Sequence, residues 1–222
     1  MPSAAGAAEF VPDTLDLGTL ARAADHCEGC ELFAPATHTV FGEGPSGATV
    51  MLVGEQPGDS EDRAGEPFVG PAGRVLDQAL AAAGIDRSRV YVTNAVKHFR
   101  FTTDDNSARR LHATPTNRHV RACRPWLDAE LHSVRPVVVV ALGATAGKAL
   151  LGPDFRVTRS RGTAMDWPPP DGPFASSDVP VTAVVATIHP SAVLRTRGRA
   201  EREEAFESLV ADLQVVANAM GS

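Results

Sequence analysis

Cys27-Glu-Gly-Cys30 places two thiols three residues apart, and Cys123 supplies a third. A CxxC pair serves either thiol–disulfide exchange or one half of a metal site. This pair precedes the first apolar run and does not open a helix after it, which disfavours the thioredoxin-like use. A metal centre needs about four donors, and His98 is the best fourth candidate. The plainer alternative for Cys123 is a free cysteine packed in a helix. Three cysteines are an odd number and argue against a disulfide framework. The chain is expected to be cytoplasmic.

A second set of reactive types follows the apolar runs. Gly54-Glu-Gln-Pro-Gly-Asp59 brings Glu55, Gln56 and Asp59 together, Asn94 closes the next run, and His189-Pro-Ser191 closes the last. Carboxylate, amide and imidazole are the groups that move protons or recognise a polar edge. Phe68 lies in a turn framed by glycine and proline, where its ring faces a pocket or plugs the core. Glu55 alone could be a surface carboxylate, and Asn94 could cap its own loop. A lone His189 is more often structural than catalytic. Their occurrence at successive run ends is what points to a shared site.

The elements that must position them are four apolar runs, Ala48–Gly54, Arg89–Val96, Pro136–Gly143 and Pro180–Ile188, read as buried strands. Helical patterns separate them: one ending at a Gly84 C-cap, one over Asn117–Val134, one over Ala144–Gly152, and a last over Glu201–Met220. Such alternation predicts an α/β fold, a three-layer α/β/α sandwich with a central four-stranded parallel sheet. Ligands of such sheets bind beyond the carboxyl ends of the strands, where these residues stand. Gly42–Gly47 matches a dinucleotide-binding glycine pattern but precedes a strand, so it is a loop. Trp167–Pro173 is a surface loop.

The chain has 222 residues, 43% hydrophobic and 22% charged. One domain over 1–222 is expected, with a flexible segment 1–15. No run approaches the about 18 apolar residues of a membrane span, and the first residues do not form a signal peptide. The net charge of −6 does not announce a nucleic-acid binder, although Arg109 and Arg110 adjoin and four arginines fall within 195–202.

The stretches GEQPG, EPFVGPAGRVLD, VYVTNAVK and HPSAVLR, in this order, resemble the motifs of the uracil-DNA glycosylase superfamily. They are most similar to its iron–sulfur branch, family 4, over about Cys27–Leu213. The resemblance implies a [4Fe-4S] cluster held by Cys27, Cys30, His98 and Cys123, with His98 where the branch has a cysteine. Ala108-Arg-Arg-Leu-His112, in an insertion-like loop over Arg100–Thr116, resembles the KRRIH loop of the X type, whose members stay covalently attached to the DNA they cut. Ala108 and Leu111 depart from that motif.

By this resemblance Phe68 stacks on uracil and Asn94 matches its O4 and N3–H edge. Gln56 backbone groups and His189 meet O2, and Glu55 stabilises the oxocarbenium-like sugar. His112 attacks that sugar while Glu55 accepts its proton, and Arg110 pins the loop. Asp59 and Arg110 join the substrate-binding set, and Ser191 with the Leu194–Arg195 region grips phosphate. The implied partner is uracil-containing DNA, preferentially single-stranded, bound by a monomer. The alternatives are a conventional multiple-turnover iron–sulfur glycosylase, with His112 a surface residue, and a non-catalytic cluster-bearing DNA-binding protein.

Overall fold

The computed structural model describes residues 6–104 and 107–220. In chain order the elements are α1 (Leu17–Ala24), β1 (Val50–Gly54), α2 (Asp59–Ala64), α3 (Pro71–Ala82), β2 (Val90–Asn94), β3 (Phe101–Thr103), β4 (Arg110–His112), α4 (Asn117–Val134), β5 (Val138–Leu142), α5 (Gly143–Leu151), α6 (Val157–Ser160), β6 (Ala164–Met165), β7 (Ala183–Thr187), α7 (Pro190–Arg195) and α8 (Arg199–Met220).

The central sheet runs β2-β1-β5-β7-β6. Its first four strands are parallel and are the four apolar runs; β6 is antiparallel to β7. The expected four-stranded parallel sheet is therefore a five-stranded mixed one. Two-residue β6 is too short to carry a period-2 signal.

Side chains of a strand alternate between faces, and here both faces are covered. Val50, Leu52, Val90, Val92, Val138, Val140 and Val185 pack with Leu76, Leu80, Leu209 and Leu213 from α3 and α8. Met51, Val53, Tyr91, Val139, Ala141 and Val184 pack with Leu127 and Leu131 of α4 and Leu150 of α5. Burial on both faces is why the runs read as continuously apolar. Helix α3 stops as its sequence dictates. Gly84 takes φ +77 just past the Ala83 cap, and Ile85 N–H reaches Leu80 O at 2.9 Å. This is a left-handed cap with the two-bond pattern that glycine favours.

Three local readings need adjustment. The insertion-like loop contains an antiparallel hairpin, with Phe101 opposite His112 and Thr103 opposite Arg110. Of the segment 1–15, residues 1–5 lie outside the described residues, while Gly6–Glu9 form a 3-10 turn with Ala7 buried. A Cβ on Gly6 would lie 2.8 Å from Ala122 O of α4, so the turn seats directly on that helix. In the loop after β6, Phe174 is buried against Trp167, with ring centroids 5.4 Å apart, so this surface loop also plugs the core. No described helix is long and apolar enough to cross a membrane.

Candidate active site

The carboxyl ends of β1, β2, β5 and β7 open into a cleft of about 630 Å³. Glu55, Gln56, Phe68, Asn94, His112, His189 and Ser191 all line it. Two positions expected in the same set, Asp59 and Arg110, do not. Their charges are spent on each other: Arg110 Nε donates to Asp59 Oδ1 at 2.5 Å, and Asp59 also pairs with Arg63 at 2.9 Å.

The floor is built at the first two strand ends. Gly54 and Asn94 are paired in register, and a Cβ on Gly54 would collide with Asn94 Oδ1 and lie 2.8 Å from Phe68 Cζ. Glycine here lets the amide and the ring lie over the strand end. Asn94 is 3% exposed. Its backbone carbonyl accepts from Lys97 Nζ at 2.9 Å, and among the described residues its side-chain amide has no hydrogen-bond partner. A buried free amide facing a cleft is set to recognise a polar edge. Phe68 has φ +58, the left-handed region, and its ring stacks toward His189 at 6.4 Å between centroids and 26° between planes. Such backbone costs of order 1–3 kcal/mol and recurs at functional sites.

His189 caps α7. Its Nδ1 accepts from the Ser191 backbone N–H at 3.2 Å and lies 2.8 Å from Ser191 Oγ. A backbone N–H can only donate, so the proton of the neutral ring sits on Nε2. Burial first, then the nearby positive charge of Arg195 and of His112 when protonated, lowers the His189 pKa to about 4. The ring is therefore a neutral donor at pH 7. Ser191 Oγ also accepts from Arg195 Nη1 at 2.8 Å, so the hydroxyl expected to hold phosphate here bridges two side chains.

His112 stands at the cleft mouth with its side chain 49% exposed. Its Nε2 lies 3.4 Å from Glu55 Oε1 and 3.1 Å from Gln56 Nε2. Gln56 Oε1 accepts Arg100 N–H at 3.1 Å, which orients the amide. Its two N–H donors then face three acceptors: Arg100 O at 3.1 Å, Ala113 O at 3.2 Å and His112 Nε2. An amide N–H₂ can only donate, so in the Gln56 contact His112 Nε2 accepts, while Glu55 Oε1 stands 3.4 Å from the same nitrogen. Gln56, 6% exposed, thereby clamps both strands of the hairpin over the cleft.

Arg110 holds the hairpin's other side. Besides Asp59 it donates to Asp62 Oδ2 at 2.5 Å and Thr37 Oγ1 at 3.1 Å, and it covers the Phe99 and Phe101 rings at 5.4 and 5.0 Å. Asp62 is fully buried and also accepts the Thr37 N–H at 3.0 Å.

Two supports were missed in the sequence. Thr145, in the first turn of α5, donates to Glu55 Oε2; it belongs to the one strand exit that lacks an ionisable group. Lys97 and Glu130, 1% and 0% exposed, form an ion pair at 2.5 Å beneath Asn94. Glu130 also accepts from Tyr91, Thr93 and Gly42, so the buried pair is fully hydrogen-bonded.

The thiols gather at another pole. Cys27, Cys30 and Cys123 are free, buried and packed in one cluster with Trp126 and Val96. Trp126 Nε1 donates to Cys27 Sγ at 3.2 Å and Lys97 N to Cys123 Sγ at 3.3 Å. Burial pushes the Cys123 thiol up to about 12 and lowers the His98 pKa to about 4. Cys27 and His98 line a common cavity of about 370 Å³, where His98 Nε2 lies 2.9 Å from Thr39 Oγ1. Among the described residues no three or more His, Cys, Asp and Glu side chains are close enough together to hold a metal ion. The donor types and the N–H···S bonds fit a thiolate-bound group.

Residues 41–214 match the family model of the Uracil DNA glycosylase superfamily. The chain is 35% identical over 184 residues to the type-4 uracil-DNA glycosylase of Thermotoga maritima, an alignment spanning 82% of this chain and 85% of the relative. The Archaeoglobus fulgidus type-4 enzyme is 33% identical, spanning 87% and 91%. That of Pyrobaculum aerophilum is 39% identical, spanning 62% and 65%.

Proposed function

The chain belongs to the uracil DNA glycosylase superfamily, and from that premise we propose that it excises uracil from DNA and then bonds to the sugar through His112. The observation carrying the second half is His112 Nε2 at the cleft mouth, 3.4 Å from Glu55 Oε1.

An extruded uracil would enter between Phe68 and the free amide of Asn94, whose carbonyl and N–H₂ match N3–H and O4. As the C1′–N1 bond breaks, its electron pair leaves with uracil. His189, neutral with its proton on Nε2, would donate to the charge at O2. Glu55 would stabilise the positive sugar. His112 Nε2 would then supply its lone pair for the new bond to C1′, and the imidazolium so formed would lose its remaining ring proton to Glu55. The products are an alkylated neutral imidazole, a protonated Glu55 and a uracil anion, so charge balances. Single-stranded DNA is the favoured substrate in this reading, because an unpaired base costs less to extrude.

Cys27, Cys30, Cys123 and His98 would hold a [4Fe-4S] cluster; when bound, it would supply a cross-link between the N-terminal segment, the end of β2 and α4.

The test is incubation with uracil-containing single-stranded DNA followed by a denaturing gel. A shifted protein–DNA band is expected for the native chain, with the deoxyribose on the His112 peptide by mass spectrometry. His112→Ser should lose the band and release uracil with turnover, since water can then reach C1′. An adduct on Lys97, or a band that survives His112→Ser, would remove His112 from this role. Turnover by the native chain without a band would leave a conventional glycosylase.

A further inference from the structure

The chain carries 27 acidic and 21 basic residues, yet the segment 100–124 holds six arginines against two aspartates. Some arginines elsewhere are ion-paired: Arg63 with Asp59, Arg87 with Asp77 and Arg161 with Asp212. On α4 they are not. Arg118, Arg121 and Arg124 are exposed, and among the described residues none makes an ion pair or a side-chain hydrogen bond.

Their spacing places them on one flank of the helix. Steps of three residues keep the side chains within about a third of a turn and roughly 9 Å along the axis. The opposite flank is committed to the core through Cys123, Trp126 and Leu127. In sequence the row follows residues of the cleft. His112 and Thr114 line it, Thr116 caps α4, and Arg118 lies in the first turn. Glu31 lies within electrostatic reach of Arg118, but like charges held this close repel one another, so the row is a local cost in an otherwise acidic protein.

We propose that this arginine row is a phosphate track: it holds the backbone of single-stranded DNA on one side of the nucleotide in the cleft. The assignment of DNA as occupant rests on the glycosylase reading. The surface itself needs no chemistry at the cleft, which separates the two tests.

The probe is a fluorescein-labelled 20-nucleotide oligothymidylate without uracil, titrated by anisotropy from 50 to 200 mM salt. Each phosphate contact to a single strand contributes a slope of about 0.7 in log K against log salt. The triple variant Arg118→Gln/Arg121→Gln/Arg124→Gln should bind more weakly at low salt, with a slope shallower by about 2. Its affinity gap to the native chain should then narrow roughly 20-fold across the titration. The triple lysine variant should keep the native slope, and all three proteins should melt alike. Unchanged salt slope in the glutamine variant overturns the track, whatever happens to uracil. The expected slope change in a protein that releases no uracil keeps the track and overturns the glycosylase reading.

Discussion

The cleft and the cysteine pole are two concentrations of polar chemistry handled in opposite ways. In the cleft, groups are held by neighbours but their working ends stay open. Asn94 is anchored through its carbonyl while its amide stays unpartnered, and the bond at His189 Nδ1 leaves the Nε2 proton facing the cavity. At the cysteine pole the donors are engaged inward: Cys27 with Trp126, Cys123 with the Lys97 N–H, His98 with Thr39. The cleft is preorganised by the fold, as electrostatic catalysis requires. At the pole the hydrogen bonds fix the donor atoms themselves. Lys97 joins them, holding the Asn94 carbonyl with its ammonium and Cys123 Sγ with its backbone.

The largest effect should come from breaking the preorganised side. Asn94→Ala removes a buried amide that lines the cleft and, among the described residues, makes no hydrogen bond. Uracil excision should fall by about 10²–10³-fold, the scale seen for one preorganised donor. Melting temperature and iron content should stay near native, because the Lys97 bond uses the backbone carbonyl that alanine retains. Near-native excision by Asn94→Ala would show that the base does not meet this amide.

The cysteine pole should respond in stability. Cys123→Ser weakens a thiolate donor in the core and leaves a hydroxyl where sulfur was packed. Purified native protein should be brown, and the variant should lose iron and melt roughly 10 °C lower, as expected for a few kcal/mol in a chain of this size. Excision by the folded variant should fall far less than in Asn94→Ala. A colourless native protein with stoichiometric zinc would remove the iron–sulfur assignment.

Much of this contrast is legible in the residues themselves. The parallel core shows because strands buried on both faces are apolar at every position, and strand ends mark the cleft. The hairpin carrying His112 does not show, since three-residue strands have no period to detect. The Asp59–Arg110 pair spans 51 residues and leaves no local trace. Gln56 announces an amide, but its acceptors lie 44 to 57 residues downstream. Thr145 sits at an exit with no charge to draw attention.

Thr145 sharpens the comparison on the cleft side. Hydrogen bonds to a charged group contribute about 1.5–3 kcal/mol. Thr145→Val keeps the shape and removes the donor to Glu55. Single-turnover excision should slow by roughly 10–100-fold with little change in DNA affinity, and Thr145→Ser should restore it. A valine variant as fast as native would mean that Glu55 is oriented without this hydroxyl.

The smallest expected effect is a pH dependence that separates His189 from an ordinary histidine. Its pKa in the fold is lowered to about 4, chiefly by burial, against about 6.5 when unfolded. The unfolded chain therefore binds a proton that the folded ring refuses. Linkage then sets the sign: the contribution of His189 is fully present above about pH 6.5 and is lost progressively as pH falls toward 4. Protonation of Nδ1 would also break the bond from the Ser191 N–H that fixes the tautomer. Between pH 5 and 8 the Nε2 donor should stay in place, so His189 should add no limb near 6.5 to the excision profile. The measurement is urea unfolding at pH 7 and pH 5 for the native chain and for His189→Asn. The native chain should lose more stability between the two than the variant, because asparagine has no proton to refuse. Equal losses would place the His189 ring in a more solvated setting than the cleft geometry indicates.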